Sequence, residues 1–291
     1  MDILISILMV ATPLLLAALG EAIVQKSGIV NVGLEGMMLT GAFAATLGAL
    51  STPGHPGNAV LGLLYALLAG GAMAALFAFF VVKLEANQVV VGVVVNLLAL
   101  GLTGTIYRAK FGQGGGFIST QILPHLLGKL NGLTLFAFFA TPLIWFWVNR
   151  TRGGLELRSC GEQPLSAEAS GISVLKTRTG AILFGGMMAG LAGAYLSIGS
   201  TGTFSENMSS GRGFIALAIV TSGRWSAVGC LIAALVFGGA EALQFQGQAL
   251  GIHLPYQVFN ALPYVVTLLV LAFGGKSAQA PASLGRPYHK S

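Results

Sequence analysis

Residue types that carry out enzymatic chemistry are scarce in this sequence. The chain has one aspartate, Asp2, at its N-terminal end. Intramembrane prenyl transfer and aspartyl proteolysis need paired aspartates, so both are excluded. All four histidines (His55, His125, His253 and His289) fall in predicted loops or the tail, and the HExxH spacing of zinc sites is absent. The sequence therefore predicts no catalytic residue and no metal site.

Polar side chains within apolar stretches are the next candidates, because burying such groups in a membrane is costly. Asn31 and Glu35 are four apart in a predicted span, so we expect them to share a helix face. Glu35 either serves transport or lies near the inner membrane surface, paired with backbone amides or Lys26. Gln88 and Asn96 are eight apart on another span, again on one face. Asn96 either hydrogen-bonds a neighbouring helix or lines a pathway.

Two further groups lie toward the predicted outer side. Glu241 is near the outer end of its span, and Phe204, Glu206 and Asn207 are predicted at an outer mouth. There they either face a delivered solute or form a solvated loop. The candidate translocation or substrate residues are Asn31, Glu35, Gln88, Asn96, Phe204 and Glu241.

The hydrophobic composition of the chain indicates which kind of secondary structure holds these residues. The chain is 55% hydrophobic and only 8% charged, with a mean hydropathy of +0.82, whereas soluble domains carry about 25% charged residues. The sequence therefore predicts an integral membrane protein whose residues 1–291 form one transmembrane domain. The apolar runs are continuous, which favours an all-α bundle over a β-barrel.

Nine apolar segments are predicted to cross or enter the membrane. The segment 213–222 is too short to cross alone, since about 20 residues are needed, and is predicted to be a half-helix or re-entrant element. The approximate ranges are 3–23, 29–50, 59–82, 88–107, 132–149, 179–200, 213–222, 227–243 and 258–273. Gly186, Gly190 and Gly193 form a small-residue face that favours close helix packing.

The distribution of Lys and Arg predicts the orientation of the bundle. With the N-terminus outside, eleven of the fifteen basic residues fall on the inner side, as the positive-inside rule requires. The polar insert 149–178 and the basic tail 275–291 then lie in the cytoplasm. We interpret the basic residues flanking the centre of the insert as topology anchors.

The insert is too charged to lie in lipid. Pro164 can begin a short helix and Gly171 can end it. From the residues alone, a solvated loop and a docking contact both remain open. The sequence GGKS at Gly274–Ser277 lacks the first glycine of a phosphate-binding loop and follows a membrane helix. Energy for transport must therefore come from an ion gradient or another subunit.

Three segments together resemble the permease family of ABC importers for branched-chain amino acids, simple sugars and nucleosides. They are SGIVNVGLEGMMLTGAF at Ser27–Phe43, the pattern G-L-x-x-R-x-x-G-E-x-P-x-x-A-x-x-x-G-I at Gly154–Ile172, and GRGFIALAIVTSGRWSAVG at Gly211–Gly229. VGLEGMM and GRGFIALA look most like the nucleoside branch, which is linked to basic membrane lipoproteins. The chain departs from the common pattern at Gln163, where the family has Asn, and we expect it to lack an additional N-terminal helix of longer relatives.

This resemblance implies a type II importer permease of about nine to ten helices, located in the inner membrane of a bacterium or archaeon. The implied partners are a separate ATPase that uses ATP and Mg, a second permease subunit in a homo- or heterodimer, and an extracytoplasmic solute-binding protein. The implied ATPase-coupling residues are Gly161, Glu162, Pro164, Leu165, Ala167, Glu168, Gly171 and Ile172.

Alternating access would move a nucleoside or simple sugar, and no nucleic acid is expected to bind. One alternative is a gradient-driven secondary transporter, in which Glu35 and Glu241 would be the ion-coupling candidates. Another is a passive channel, which would leave the insert without a role.

Overall fold

The chain forms a helical bundle. The structure, a computed structural model, describes residues 3–50, 58–112, 118–120, 122–249, 265 and 280–288. The helices are α1 Ile3–Lys26, α2 Leu34–Leu50, α3 Asn58–Ala78, α4 Gln88–Phe111, α5 Gly132–Arg150, α6 Arg152–Glu162, α7 Pro164–Ala169, α8 Val174–Ala194, α9 Arg212–Ser222 and α10 Ala227–Ala249. Helices α3 and α8 continue as π-helical turns, Phe79–Lys83 and Tyr195–Thr201.

Among the described residues, six helices are long and apolar enough to cross a membrane, and α2 and α9 are shorter apolar helices. Each of the first eight predicted segments thus corresponds to a helix, which confirms the prediction of an all-α polytopic bundle. Apart from residue 265, the ninth segment, 258–273, lies outside the described residues, as do the GGKS sequence and 275–279 of the tail.

Helix α8 lies at the centre of the bundle and packs against α1, α2 and α3. A Cβ atom added at Gly186 would overlap Ala74 of α3, and one at Gly190 would overlap the Ala66 carbonyl of the same helix. One at Gly193 would overlap the Met38 carbonyl of α2. These glycines therefore bring α8 to backbone contact with its neighbours, as small-residue faces do in membrane bundles.

The second predicted span is helical only from Leu34 onward. Gly28 turns the chain after α1 with a φ of +94°, and residues 29–33 form a non-helical, largely buried connection. Asn31 Oδ1 accepts from the Gly33 N–H at 3.1 Å, a local bond that competes with helix formation. The prediction that Asn31 and Glu35 share a helix face is therefore wrong.

The polar insert is also shorter and more ordered than predicted. It contains two helices, α6 and α7, and α8 already begins at Val174. Lys176 and Arg178 consequently belong to α8, and Arg178 is buried. Its interpretation as a mere topology anchor is wrong, because its guanidinium Nε donates to the Ser27 carbonyl at 3.0 Å.

In the part of the chain that the structure describes, four short strands lie at the end of the bundle opposite the insert. β1 Ile118–Ser119 pairs antiparallel with β4 Thr203–Phe204, and β2 His125–Leu127 pairs with β3 Leu130–Asn131. The β1–β4 pair joins two predicted outer loops, whereas β2 and β3 form a hairpin within the loop between α4 and α5.

Candidate functional site

The buried connection 29–33 between α1 and α2 is held by two amide side chains of α4. Gln88 Oε1 accepts from the Val30 N–H at 2.8 Å. Asn96 Nδ2 donates to the Val32 carbonyl at 2.9 Å, and Asn96 Oδ1 accepts from the Gly36 N–H at 2.8 Å. Unpaired backbone groups are very costly away from water, so these bonds let the helix be interrupted inside the bundle. Gln88 and Asn96 do share a face, and that face points at this connection.

Glu21 of α1 holds the same connection from the other side, and the sequence interpretation missed it. Its Oε1 accepts from the Asn31 N–H at 3.1 Å and from Gln25 Nε2 at 3.0 Å. The side chain is fully buried, and within the described part of the chain its Oε2 has no hydrogen-bond partner. The criterion that selected Glu35, a carboxylate inside an apolar span, applies equally to Glu21 and would have found it.

Glu35 binds the N-terminus of the half-helix α9. Its Oε1 accepts from the Gly211 N–H at 2.7 Å and its Oε2 from the Gly213 N–H at 2.6 Å. A carboxylate is well placed there, because the free N–H groups and the helix dipole both favour negative charge. Of the predicted alternatives for Glu35, backbone amides are its partners in the structure, whereas Lys26 is not.

The length of α9 places this contact deep in the bundle. Its eleven residues span about 16 Å, roughly half of a bilayer core of about 30 Å. Trp225, just after its C-terminal end, donates to Gln25 near the end of α1 at 2.6 Å. The opposite end of α9, where Glu35 binds, therefore lies about half the thickness of a bilayer core away from the end that carries Trp225. The sequence predicted a half-helix or re-entrant element at 213–222, and the structure has a short apolar helix, α9, at this place.

Arg212 and Glu241 complete a small charged group that we call the Glu35 junction, made of Glu35, Gly211, Arg212, Gly213 and Glu241. Arg212 forms a 2.6 Å ion pair with Glu241 of α10, and both side chains are largely buried. An added Cβ at Gly213 would lie 2.6 Å from the Glu35 Cα, so glycine is needed for this close approach. The junction joins α2, α9 and α10 through one network.

Phe204 does not occupy an exposed mouth. It is 1% exposed and lies 5.0 Å from Phe43 and 5.5 Å from Tyr107, measured between ring centroids. Its strand pairs with β1, which turns its side chain into an aromatic cluster. Neither the solute-facing nor the solvated-loop interpretation fits Phe204.

The neighbouring Glu206 does lie at the surface. It forms an exposed 2.7 Å ion pair with Arg108 of α4. The hydrogen bond from Arg108, reinforced by its positive charge, lowers the pKa of the Glu206 carboxyl. The carboxylate predicted at the outer mouth, Glu206, is therefore paired with a basic residue, Arg108, near the C-terminal end of α4.

The centre of the insert forms a compact surface element, α6–α7. Pro164 is the first residue of α7, and Gly171 follows it with a φ of +85°, so both predicted helix signals are confirmed. Ala167 and Ile172 pack inward with Cys160 of α6. Leu165 points outward and is 63% exposed. The element thus presents one apolar side chain, Leu165, on a polar surface.

Glycine at position 161 brings α6 against the end of α1. A Cβ at Gly161 would overlap the Lys26 carbonyl. Glu162 accepts from the Ala282 N–H at 3.2 Å, so this acidic residue contacts the C-terminal tail of the same chain. Glu168 accepts from the hydroxyl of Tyr288, also in the tail. The two acidic residues predicted to meet a partner thus have internal partners as well.

Residues 3–271 match the family described as branched-chain amino acid transport system / permease component. The chain belongs to this permease family. The guanosine ABC transporter permease protein NupQ of Bacillus subtilis is 36% identical over 97% of this chain and 95% of its own length. The nucleoside ABC transporter permease protein NupC of Lactococcus lactis is 35% identical over 98% and 96%.

A third relative of this permease carries a different solute in its name. The putative glucose ABC transporter permease protein TsgC13 of Haloferax volcanii is 36% identical over 90% of this chain and 88% of its own length. No solved structure matches the permease. The protein is a multi-pass membrane permease of the ABC importer class, and the predicted family is confirmed.

Proposed function

We propose that this permease is one of two permease subunits of an ATP-driven importer for nucleosides. The observation that carries the proposal is the α6–α7 element, which presents exposed Leu165 at the basic end of the bundle. Such an element gives a separate ATPase, using ATP and Mg, a place to transmit force. The two relatives named for guanosine or nucleoside transport support the choice of solute.

The remaining assembly follows from the same proposal. The end of the bundle that carries α6–α7 and the tail is cytoplasmic, since it holds most of the basic residues. An extracytoplasmic solute-binding protein delivers solute at the opposite end, near β1 and β4. In this proposal, the Glu35 junction lies beside the solute translocation pathway. The TsgC13 relative favours a sugar as the second candidate solute.

Leu165→Asp tests the docking surface. We expect at least about a tenfold loss in recovery of the ATPase with the permease, because an aspartate would be stripped of water in the contact. The measurement is quantitative co-purification from cells that express the whole transporter. Leu84→Asp is the matched control, since Leu84 is 54% exposed and lies in another link of the chain. Undiminished recovery with Leu165→Asp would overturn the docking assignment.

Solute and energy source are tested with the transporter in proteoliposomes. We expect uptake of radiolabelled guanosine to require ATP and to persist when ionophores collapse the ion gradients. Labelled glucose, offered in parallel, distinguishes the second candidate. Uptake that ignores ATP and disappears with an ionophore would identify a secondary transporter instead.

A further inference from the structure

The C-terminal segment 280–288 packs into the cytoplasmic end of the bundle. Ser283 donates its backbone N–H to the Gly161 carbonyl at 2.9 Å, and its hydroxyl lies 2.5 Å from the same oxygen. Ala282 N–H donates to Glu162. The segment therefore grips the last turn of α6. We call residues 280–288 the C-terminal strap.

The strap also grips α7. Tyr288 is 6% exposed, and its hydroxyl donates to Glu168. Burial, together with the bond to Glu168, raises the pKa of Tyr288 to about 12, so the phenol keeps its proton near neutral pH. Tyr288 also packs with Ala167 and Cys160 in the small core of the α6–α7 element, which we call the coupling element. Both helices of the element are thus fastened to one strap.

The third contact of the strap is with Gly28, in the turn between α1 and the connection 29–33. The Gly285 N–H donates to the Gly28 carbonyl at 3.0 Å. Arg178, which binds the Ser27 carbonyl, also lies 3.4 Å from the Ser283 hydroxyl, and its guanidinium is 5.7 Å from the Tyr288 ring. A buried arginine with these partners ties the strap and the chain turn after α1 into one unit.

This arrangement gives a continuous set of contacts from the surface into the bundle. It runs from α7 through the strap to residues 27–28, along the connection 29–33, and ends at Glu35 on the N-terminus of α9. We propose that the C-terminal strap is a positioning part of the coupling element, through which movement of α7 reaches the α1–α2 connection. The inference rests on the proposed ATP-driven function.

The strap's role is tested by separating transport from ATP hydrolysis. Tyr288→Phe and Ser283→Ala remove the two hydroxyls while keeping most of the side-chain volume. In proteoliposomes containing the whole transporter, we expect the double variant to retain ATPase binding and hydrolysis but to lose about fivefold or more in labelled guanosine uptake per ATP. Arg286→Gln is the control, because its side chain is exposed and its contact with Arg178 is made by the backbone carbonyl.

A purely structural strap would give a different result. Permease yield or melting temperature would fall while uptake per ATP stayed at the wild-type value, and that outcome would overturn the proposal. If the double variant does not fold, a second pair, Tyr288→Phe and Glu168→Ala, tests the proposal. Uptake per ATP is then measured for each single variant and for the two combined. Coupled residues should give non-additive losses in uptake per ATP, and additive losses would overturn the proposed link. Failure of the wild-type transporter to use ATP would instead overturn the proposed function.

Discussion

Glu35 shows how one buried carboxylate can hold two interrupted elements of a membrane bundle together. It lies in the first turn of α2 and accepts from two N–H groups at the start of α9. Both groups would be unpaired without it, because the first N–H groups of a helix have no partner within that helix. The glutamate of VGLEG and the glycines of GRG therefore form a single structural feature, although they are far apart in the sequence.

Replacing Glu35 should weaken the bundle and stop transport. Glu35→Ala removes two hydrogen bonds to a charged group, each worth about 1.5–3 kcal/mol, so we expect a loss of about 3–6 kcal/mol in the free energy of unfolding. Glu35→Gln keeps one acceptor and should lose about half as much. The measurement is thermal unfolding in detergent with uptake in parallel. Glu206→Gln, at the exposed ion pair with Arg108, is the control. Equal stability of Glu35→Ala and wild type would contradict this account.

At the scale of the element, α8 depends on backbone contact with its neighbours. Most of α8 and its π-helical extension is surrounded by other helices. In the most apolar 18-residue stretch of Val174–Thr201, 83% of the residues are buried. Without a hydrophobic drive between helices in lipid, close packing at small residues supplies much of the association. The glycine face predicted from the sequence thus lies on the side of α8 that packs against α2 and α3.

Two glycines of α8 provide a matched pair for testing this packing. Gly193→Ala puts a methyl group onto the Met38 carbonyl, and overpacking of this kind costs about 1–3 kcal/mol. Gly180→Ala meets nothing within 4 Å and should be neutral or stabilising by up to about 1 kcal/mol. Melting temperatures in detergent compare the two. A neutral Gly193→Ala would show that α8 can move away from α2 at little cost.

At the scale of the whole molecule, the basic residues gather at one end of the bundle. Arg178 contacts the turn after Lys26 and the Arg286 carbonyl, and Trp225, next to Arg224, contacts Gln25. Lys83 and Lys176 line the same groove of about 710 Å³. The opposite end carries β1 and β4. Segments that the charge distribution assigns to one side of the membrane are thus together in space.

Cysteine labelling in intact cells tests this orientation. Ser170→Cys and Ser205→Cys place thiols at exposed positions of the two ends, while Cys160 and Cys230 are buried. A membrane-impermeant maleimide should label position 205 in whole cells and position 170 only after permeabilisation. The parent permease is the control for the native thiols. The reverse labelling pattern would invert the topology and remove α7 from the cytoplasm.

The sequence alone determined the class of protein, the helical segments and the family. These depend on composition, run length and local signals such as Pro164 and Gly171, which act within a few residues of themselves. It also identified Glu35, Gln88 and Asn96 as unusual, because polar groups in apolar runs need partners. It wrongly assigned residues 29–33 to a helix. Their apolar character does not show that the Asn31 side chain bonds the Gly33 N–H and so competes with the hydrogen bonds of a helix.

Only the tertiary structure decided which residues are the partners of these polar groups. Glu35 with Gly213, Arg178 with Ser27 and Tyr288 with Glu168 join residues more than a hundred positions apart, and no local pattern encodes such pairs. The same holds for Phe204, whose burial follows from its pairing with β1, and for the tail, whose basic residues predicted only its side of the membrane. Local chemistry fixes helices and spans, whereas the packing of distant segments fixes the contacts through which they can act together.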